Sequence, residues 1–265
     1  MLHGLGMRQY ALITGSYWAF TLTDGALRML VVLYFHQLGY SPLDIALLFL
    51  FYEFFGVVTN LFGGWVAARV GLAATLIAGL LLQVAALAML LVDEQMLTVA
   101  YVMVAQALSG IAKDLNKLSA KSSVKLMAGE SQGRLYRWVA WLTGSKNALK
   151  GMGFFAGSAS LALVGFTTSI ALMALALLGV AVAAVALLDR DMGRASFKPK
   201  FSNLWSKSAK INKLSAARLF LFGSRDVWFV VALRVFLRTQ RGGSGVSVGA
   251  FLAAWIVGYG AVQAM

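Results

Sequence analysis

The chain has 265 residues, of which 60% are hydrophobic and 12% are charged, and its net charge is +13. Soluble domains carry about 25% charged residues, so the composition excludes an ordinary soluble domain and indicates an integral membrane protein. There is no cysteine, and the two histidines, His3 and His36, are far apart. Thiolate metal ligands are therefore excluded, and we expect neither a metal site nor a cofactor.

Eight apolar segments are long enough to be transmembrane helices, which need about 20 residues each. They are residues 10–36, 42–66, 72–92, 96–115, 138–165, 168–188, 214–237 and 246–265. Runs of this length are too long for the alternating strands of a barrel. The segments predict three regions: a six-helix transmembrane bundle at 1–188, a basic cytoplasmic loop at 189–213, and two helices of a second bundle at 214–265.

The basic residues between these segments predict the orientation of the chain. Fifteen lysines and arginines fall on the side of the N-terminus, including those at 113–137 and 190–213, and only Arg238 and Arg241 fall on the other side. Basic loops stay in the cytoplasm, so the N-terminus is expected there. The same clustering favours a membrane partner over nucleic acid. The first apolar run lacks a small-residue cleavage site and is expected to be a retained helix.

Six helices, a long basic loop and two further helices match the beginning of the six-loop-six plan of the major facilitator fold. We therefore predict an all-α integral membrane protein with a complete N-terminal six-helix bundle and the first two helices of the C-terminal bundle. A truncated gene or a fragment is the expected origin of such a chain.

Two lysines, Lys146 and Lys150, lie deep in the fifth predicted span. At about 1.5 Å per residue from Arg137, they would lie roughly 14 and 20 Å into the membrane. Their four-residue spacing places them on one face of a helix, with Asn147 beside them. Either acids on neighbouring helices neutralise them, or they form an anion site on a central cavity.

The first span carries a polar stripe at alternating intervals of four and three residues: Tyr10, Thr14, Tyr17, Thr21, Asp24 and Arg28. Asp24 and Arg28 could pair within the helix and merely pack. Alternatively, Arg28 is a substrate clamp, because a guanidinium binds phosphate or carboxylate through two hydrogen bonds. Asp24 would then orient it or carry a proton.

Two other spans contain candidate charges. Glu53 in the second span could balance a lysine or serve as a protonation site. In the seventh span Arg225 is a candidate second clamp and Asp226 a candidate charge-balancing acid. Arg234 interrupts the apolar sequence VVALRVF, and we find no role for it.

A cytoplasmic gate is predicted from two sequence patterns. Lys113, Lys117, Lys121 and Lys125 are four residues apart at the end of the fourth span. They would either contact anionic lipid or gather anions at the inner mouth. The stretch GWVAARVGLA resembles the facilitator loop pattern G-x-L-a-D-R-x-G-R-K: Gly64, Arg69 and Gly71 match, whereas Ala68 replaces the acid.

No nucleophile elbow, phosphate-binding loop or paired carboxylates are found, so an enzyme is not expected. Four long stretches resemble one transporter family: SYWAFTLTDGALRMLVVLYFHQLGYSP, LFLFYEFFGVVTNLFGGW, QALSGIAKDLNKLSAKSSVKL and LTGSKNALKGMGFF. The family is that of the organoarsenical efflux permeases of bacterial arsenic operons, the ArsJ-type members of the major facilitator superfamily. The resemblance extends over nearly all 265 residues, although such permeases have two complete six-helix halves.

This resemblance implies a pump in the bacterial inner membrane that exports 1-arseno-3-phosphoglycerate and confers arsenate resistance. The substrate would be made by the glyceraldehyde-3-phosphate dehydrogenase of the same operon. A chain without cysteine cannot hold trivalent arsenic through thiolates, but its lysines and arginines can hold oxyanions. Two alternatives remain: transport of another organic phosphate anion, and an inactive truncated membrane scaffold.

Overall fold

The structure, a computed structural model, describes residues 2–128, 132–189, 208–226, 228, 232–239 and 244–264. These residues form ten α-helices and a short 3-10 turn at Glu94–Met96. The helices are α1 (Leu2–Gln37), α2 (Pro42–Leu48), α3 (Leu50–Val70), α4 (Leu72–Met89), α5 (Val99–Ala128), α6 (Gln132–Val164), α7 (Phe166–Leu187), α8 (Ala209–Asp226), α9 (Leu233–Thr239) and α10 (Gly245–Ala264).

Local sequence signals explain why the second predicted span begins at Pro42. Gly39 has a positive φ of 86° and ends the first turn after α1. Ser41 then caps α2: its hydroxyl accepts a hydrogen bond from the Asp44 amide, and the Asp44 carboxylate accepts one from the Ser41 amide. This reciprocal pair satisfies amide groups that a helix start leaves open.

A second glycine separates α3 from α4. Gly71 has φ 99°, a conformation that L side chains rarely adopt. The chain can therefore leave one long helix and start the next without a loop. Segments α2 and α3, which meet at Phe49, together account for the predicted span 42–66, and α4 accounts for 72–92.

The predicted spans end at 115 and resume at 138, which implies a long connection there, but most of this stretch is helical. Helix α5 continues to Ala128 and α6 starts at Gln132, so only positions 129–131 between them lie outside the described residues. The lysines four residues apart lie on one face of a continuous helix. Ala112, Asn116 and Ala120, each one position before a lysine and so on a neighbouring face of the helix, are buried.

The last two predicted spans also differ in their bounds. Residues 214–237 correspond to two helices, α8 and α9. Helix α8 begins at Ala209, within the predicted loop 189–213, whose positions 190–207 lie outside the described residues. The division of the chain into three regions stays a prediction.

Close backbone contacts hold α6 against α1. A Cβ atom on Gly25 would lie 2.7 Å from the Lys150 carbonyl oxygen, and Cβ atoms on Gly153 and Gly157 would meet the carbonyl oxygens of Leu22 and Ala26. Small residues allow membrane helices to approach this closely. Helix α10 packs against α6 as well, and a Cβ on Gly151 would lie 2.9 Å from the Ala253 carbonyl oxygen.

The remaining helices complete the bundle. Helix α5 packs against both α3 and α4, and α7 packs against α4 and α1. Aliphatic and aromatic side chains such as Leu30, Phe35, Leu80 and Ile170 form the common core. In the described part of the chain, four segments are long and apolar enough to cross a membrane: Met7–Gln37, Pro42–Val70, Leu72–Met89 and Phe166–Leu187.

The contact between α3 and α5 gives the first testable prediction. A Cβ atom on Gly110 would lie 2.9 Å from the Tyr52 Cα and closer still to the Tyr52 carbonyl oxygen. We expect Gly110→Ala to lower the free energy of unfolding by about 1–3 kcal/mol, because two backbones must separate. Thermal unfolding of the purified protein in detergent would measure this loss.

The matched control is Gly179→Ala in α7, where no atom lies within 4 Å of the added Cβ. This variant should unfold at the same temperature as the unmodified protein or higher, because alanine is the better helix former. Equal effects of the two substitutions would contradict the close contact of α3 with α5.

Candidate substrate-binding site

Polar and ionisable side chains from four helices meet about halfway along α5 and α6. We call this group the charged cluster: Asp24 and Arg28 of α1, Tyr52 and Glu53 of α3, Lys113, Asp114, Lys117 and Lys121 of α5, and Lys146 and Lys150 of α6. Lys113 and Lys146 each lie about 21 Å along the helix axis from the start of their helices. For comparison, the middle of a membrane's hydrocarbon core is about 15 Å from either of its surfaces.

Glu53 is the central carboxylate of the charged cluster. One of its oxygens lies 2.7 Å from a guanidinium nitrogen of Arg28, and the other lies 3.5 Å from the Lys113 ammonium. The Arg28 side chain is 2% exposed and that of Glu53 is 39% exposed. A buried guanidinium needs such a partner, because an uncompensated charge in a low dielectric is costly.

Tyr52 is the residue that sequence analysis missed. Its hydroxyl donates a hydrogen bond to an Asp24 carboxylate oxygen over 2.7 Å. The Arg28 guanidinium carbon and the Lys113 ammonium each lie 4.1 Å from the centre of its ring, which is within cation–π range. In the sequence, Tyr52 is distinguished only by its position next to Glu53, because its contacts depend on how α1, α3 and α5 pack.

Asp114 forms a second centre in the charged cluster. Its carboxylate lies 2.7 Å from the Lys117 ammonium and 3.7 Å from that of Lys113, and Lys117 also donates to the Asn60 side-chain oxygen. A Cβ atom on Gly56 would lie 2.8 Å from the Asp114 carboxylate. Glycine at this position therefore leaves room for the Asp114 carboxylate where α3 faces α5.

Lys146 and Lys150 differ from the other cations of the charged cluster. Both are partly buried, and neither forms a salt bridge in the described residues. Asp24 interacts electrostatically with both of them, and the Lys150 ammonium lies 5.9 Å from the centre of the Phe154 ring. With six cations and three carboxylates, the charged cluster has a formal charge of +3.

The other predicted substrate contacts are placed elsewhere or lie outside the description. Asn147 lies where α6 meets α10, since a Cβ atom on Gly260 would be 3.2 Å from the Asn147 Cβ. The side chains of Arg225 and Asp226 in α8 lie outside the described residues. The role assigned to each of these three residues stays a prediction.

The structure separates the five residues predicted to form a cytoplasmic gate. Lys113 and Lys117 belong to the charged cluster, inside α5 rather than at its end, because the helix continues for eleven residues beyond Lys117. Gly64, Arg69 and Gly71 lie in the last two turns of α3 and just after it, and Arg69 stacks 4.3 Å from the Trp65 ring centre. Arg69 is about 24 Å along α3 from Glu53.

Comparison with solved structures identifies the fold. Two crystal structures of a peptide transporter, POT, both in complex with sulfate and one of them a mutant, match with TM-scores of 0.51 and 0.50. Each is 18% identical to this chain, and each match covers 92% of this chain and 48% of the transporter. The chain thus spans about half the length of these transporters.

Neither a scan against protein-family models nor a search of curated proteins gives a match. The structural matches nevertheless show the fold: the chain is an all-α, multi-pass membrane protein with the major facilitator fold over about half the length of the matched structures. This confirms the predicted fold class. The charged cluster is a group of ionisable residues held between the helices of this bundle.

A double-mutant cycle tests the hydrogen bond between Tyr52 and Asp24. Tyr52→Phe leaves a buried carboxylate without its donor and should cost about 1–3 kcal/mol of unfolding free energy. The cost should be smaller in an Asp24→Asn background, since the neutral amide is less expensive to leave unsatisfied. Thermal or denaturant unfolding in detergent would give the coupling energy.

Tyr101→Phe is the matched control for this cycle. The Tyr101 hydroxyl donates a hydrogen bond to the Met89 backbone carbonyl over 2.8 Å, near the start of α5 and outside the charged cluster. Its cost should be the same with Asp24 or Asn at position 24. If the effects of Tyr52→Phe and Asp24→Asn are simply additive, the two side chains are not coupled.

Proposed function

We propose that this chain is part of a secondary transporter that exports an organic phosphate-type anion by alternating access. The specific substrate we infer is 1-arseno-3-phosphoglycerate, and its export would confer arsenate resistance. The single observation that supports an anionic substrate best is the charged cluster, where Lys146 and Lys150 form no salt bridge in the described part of the bundle.

Electrostatics favour an anion as a further partner of these two lysines, because Asp24, which interacts with both, carries a single negative charge. Cations that are brought together in a low dielectric repel each other unless negative charge lies among them. The carboxylates of Glu53 and Asp114 each already contact two basic side chains. A multiply charged guest would supply negative charge that the described side chains do not.

The arsenic ester is favoured over other anions by two features of the sequence. The four stretches described above resemble organoarsenical efflux permeases. The absence of cysteine also fits an oxyanion ester rather than trivalent arsenic, which thiolates would hold. In this proposal the glyceraldehyde-3-phosphate dehydrogenase of an arsenic operon supplies the substrate, and an adjacent gene for that enzyme would support it.

The membrane potential favours export. With the N-terminus in the cytoplasm of a bacterial cell and the protein in the inner membrane, as proposed here, an anion leaves a negative interior. It gains about 2.3 kcal/mol per charge per 100 mV. Coupling to protons is then not required energetically, although Asp24 or Glu53 could carry one.

Transport into inverted membrane vesicles tests this function. Vesicles from bacterial cells that produce the protein should accumulate the arsenic ester faster than vesicles without it, when the dehydrogenase forms the ester in place from arsenate, glyceraldehyde 3-phosphate and NAD+. Preferential uptake of glycerol 3-phosphate would instead indicate a carrier for another organic phosphate. No uptake of either compound would favour an inactive membrane scaffold.

The two lysines give a prediction about resistance. In a full-length version of the transporter, we expect Lys150→Ala to abolish arsenate tolerance and Lys146→Ala to reduce it, because each removes a cation that would face the anion. Growth in arsenate, with membrane abundance measured by immunoblot, would check this. Lys210→Ala, on the exposed start of α8, is the matched control and should leave tolerance unchanged.

Full tolerance in the Lys150→Ala and Lys146→Ala strains, at normal abundance, would remove these lysines from the substrate site.

Arg28 gives a separate prediction about geometry. Arg28→Lys keeps the charge but replaces a planar fork, which can make two hydrogen bonds at once, by a single ammonium. We expect transport of the arsenic ester to fall about tenfold or more, in line with the 1.4 kcal/mol or greater cost of losing a charged hydrogen bond. Initial rates in inverted vesicles would measure this, and an unchanged rate would show that only the charge matters.

A further inference from the structure

Glu53 occupies the position that an anionic substrate would need. It contacts Arg28 over 2.7 Å and Lys113 over 3.5 Å, so its two oxygens already contact two cations that could bind a phosphate group. It is also the more exposed partner of the pair with Arg28. An incoming anion that pairs with both the guanidinium nitrogen and the ammonium held by Glu53 must therefore compete with this carboxylate.

We infer that Glu53 is a displaceable counterion that sets a charge threshold for substrates, so that dianions bind and monoanions do not. This inference rests on the proposed function and specifies its substrate class. A monocarboxylate offers Arg28 and Lys113 the same single negative charge that Glu53 already provides. Its binding also carries the cost of removing its hydration water. A phosphate monoester carries more charge on three oxygens, so it can replace Glu53 and also reach Lys146 and Lys150.

The surroundings of Glu53 support displacement rather than a fixed structural pair. Lys113 has a second carboxylate, Asp114, at 3.7 Å, and it lies against the ring of Tyr52. Arg28 also stacks on Tyr52. Both cations therefore keep favourable contacts when Glu53 leaves, so the cost of releasing this carboxylate is lower than for an isolated buried pair.

The test compares two probes on the full chain purified in detergent. Glycerol 3-phosphate is the dianion and glycerate is the monoanion of similar size. The unmodified protein should bind glycerol 3-phosphate at least about tenfold more tightly than glycerate. Glu53→Gln should bind both probes more tightly, and the preference for the dianion should fall about tenfold, because glycerate no longer competes with an internal carboxylate.

Glu94→Gln is the matched control. Glu94 is also a carboxylate held by a neighbouring side chain, since it accepts a hydrogen bond from the Tyr34 hydroxyl over 2.8 Å. It lies between α4 and α5, outside the charged cluster. This variant should keep the affinities and the preference of the unmodified protein.

The outcomes separate this inference from the proposed function. If the unmodified protein binds neither probe, the charge threshold is wrong, whereas the proposed export is judged separately by uptake of the arsenic ester into inverted vesicles. If it binds glycerol 3-phosphate but Glu53→Gln has the same preference or weaker affinity for both probes, then Glu53 supports the site instead of competing for it, and the charge threshold is wrong.

Labelling of the unmodified protein decides the question if Glu53→Gln does not fold. A carbodiimide modifies accessible carboxyl groups, and mass spectrometry locates them. Glycerol 3-phosphate should increase labelling of Glu53 relative to Glu94, because it takes over Arg28 and Lys113, whereas glycerate should have no effect. Unchanged or decreased labelling of Glu53 with glycerol 3-phosphate would overturn the inference.

Discussion

The central physical constraint on this structure is the cost of keeping charges inside a bundle of apolar helices. Arg28 is almost completely buried, and it is stabilised by the Glu53 carboxylate at 2.7 Å and by the face of the Tyr52 ring. Tyr52 and Glu53 are consecutive residues of α3, and Lys113 of α5 contacts the same ring and the same carboxylate. The positions of α1, α3 and α5 must therefore be fixed to within hydrogen-bond tolerance for the buried charge to be acceptable.

Backbone contacts through glycine provide that precision. Gly110 brings α5 against the backbone of Tyr52, and Gly25 brings α1 against the backbone of Lys150. The residues that allow close contact are thus neighbours of the residues that carry charge. Packing and electrostatics are coupled here, since a shift in either helix contact moves an ion pair as well.

The fold was largely predictable because a membrane imposes a length and an apolar composition on each helix. Both signals are strong in α4 and α7, which were placed nearly to the residue. They are weaker in α5, where Lys113, Asp114 and Asn116 interrupt the apolar run, and the predicted helix ended too early. The hydropathy pattern shows where charged residues lie, but it does not show whether a partner on another helix stabilises a charged residue.

The candidate site was predictable only in part. Arg28, Glu53, Lys146 and Lys150 attract notice in the sequence because ionisable groups are rare at membrane depth. The partner of Arg28 could not be deduced: Asp24, one turn away, was an equally reasonable choice. Tyr52 carried no signal, since an aromatic residue beside apolar ones is common in any membrane helix.

The amino-acid sequence by itself determined that this is an all-α membrane protein with positive charge between its helices, because composition and periodicity are local properties. Only the tertiary structure decided that Glu53 bridges Arg28 and Lys113 and that Tyr52 holds Asp24. These contacts join residues 25 to 60 positions apart, and their existence depends on which faces of the helices meet.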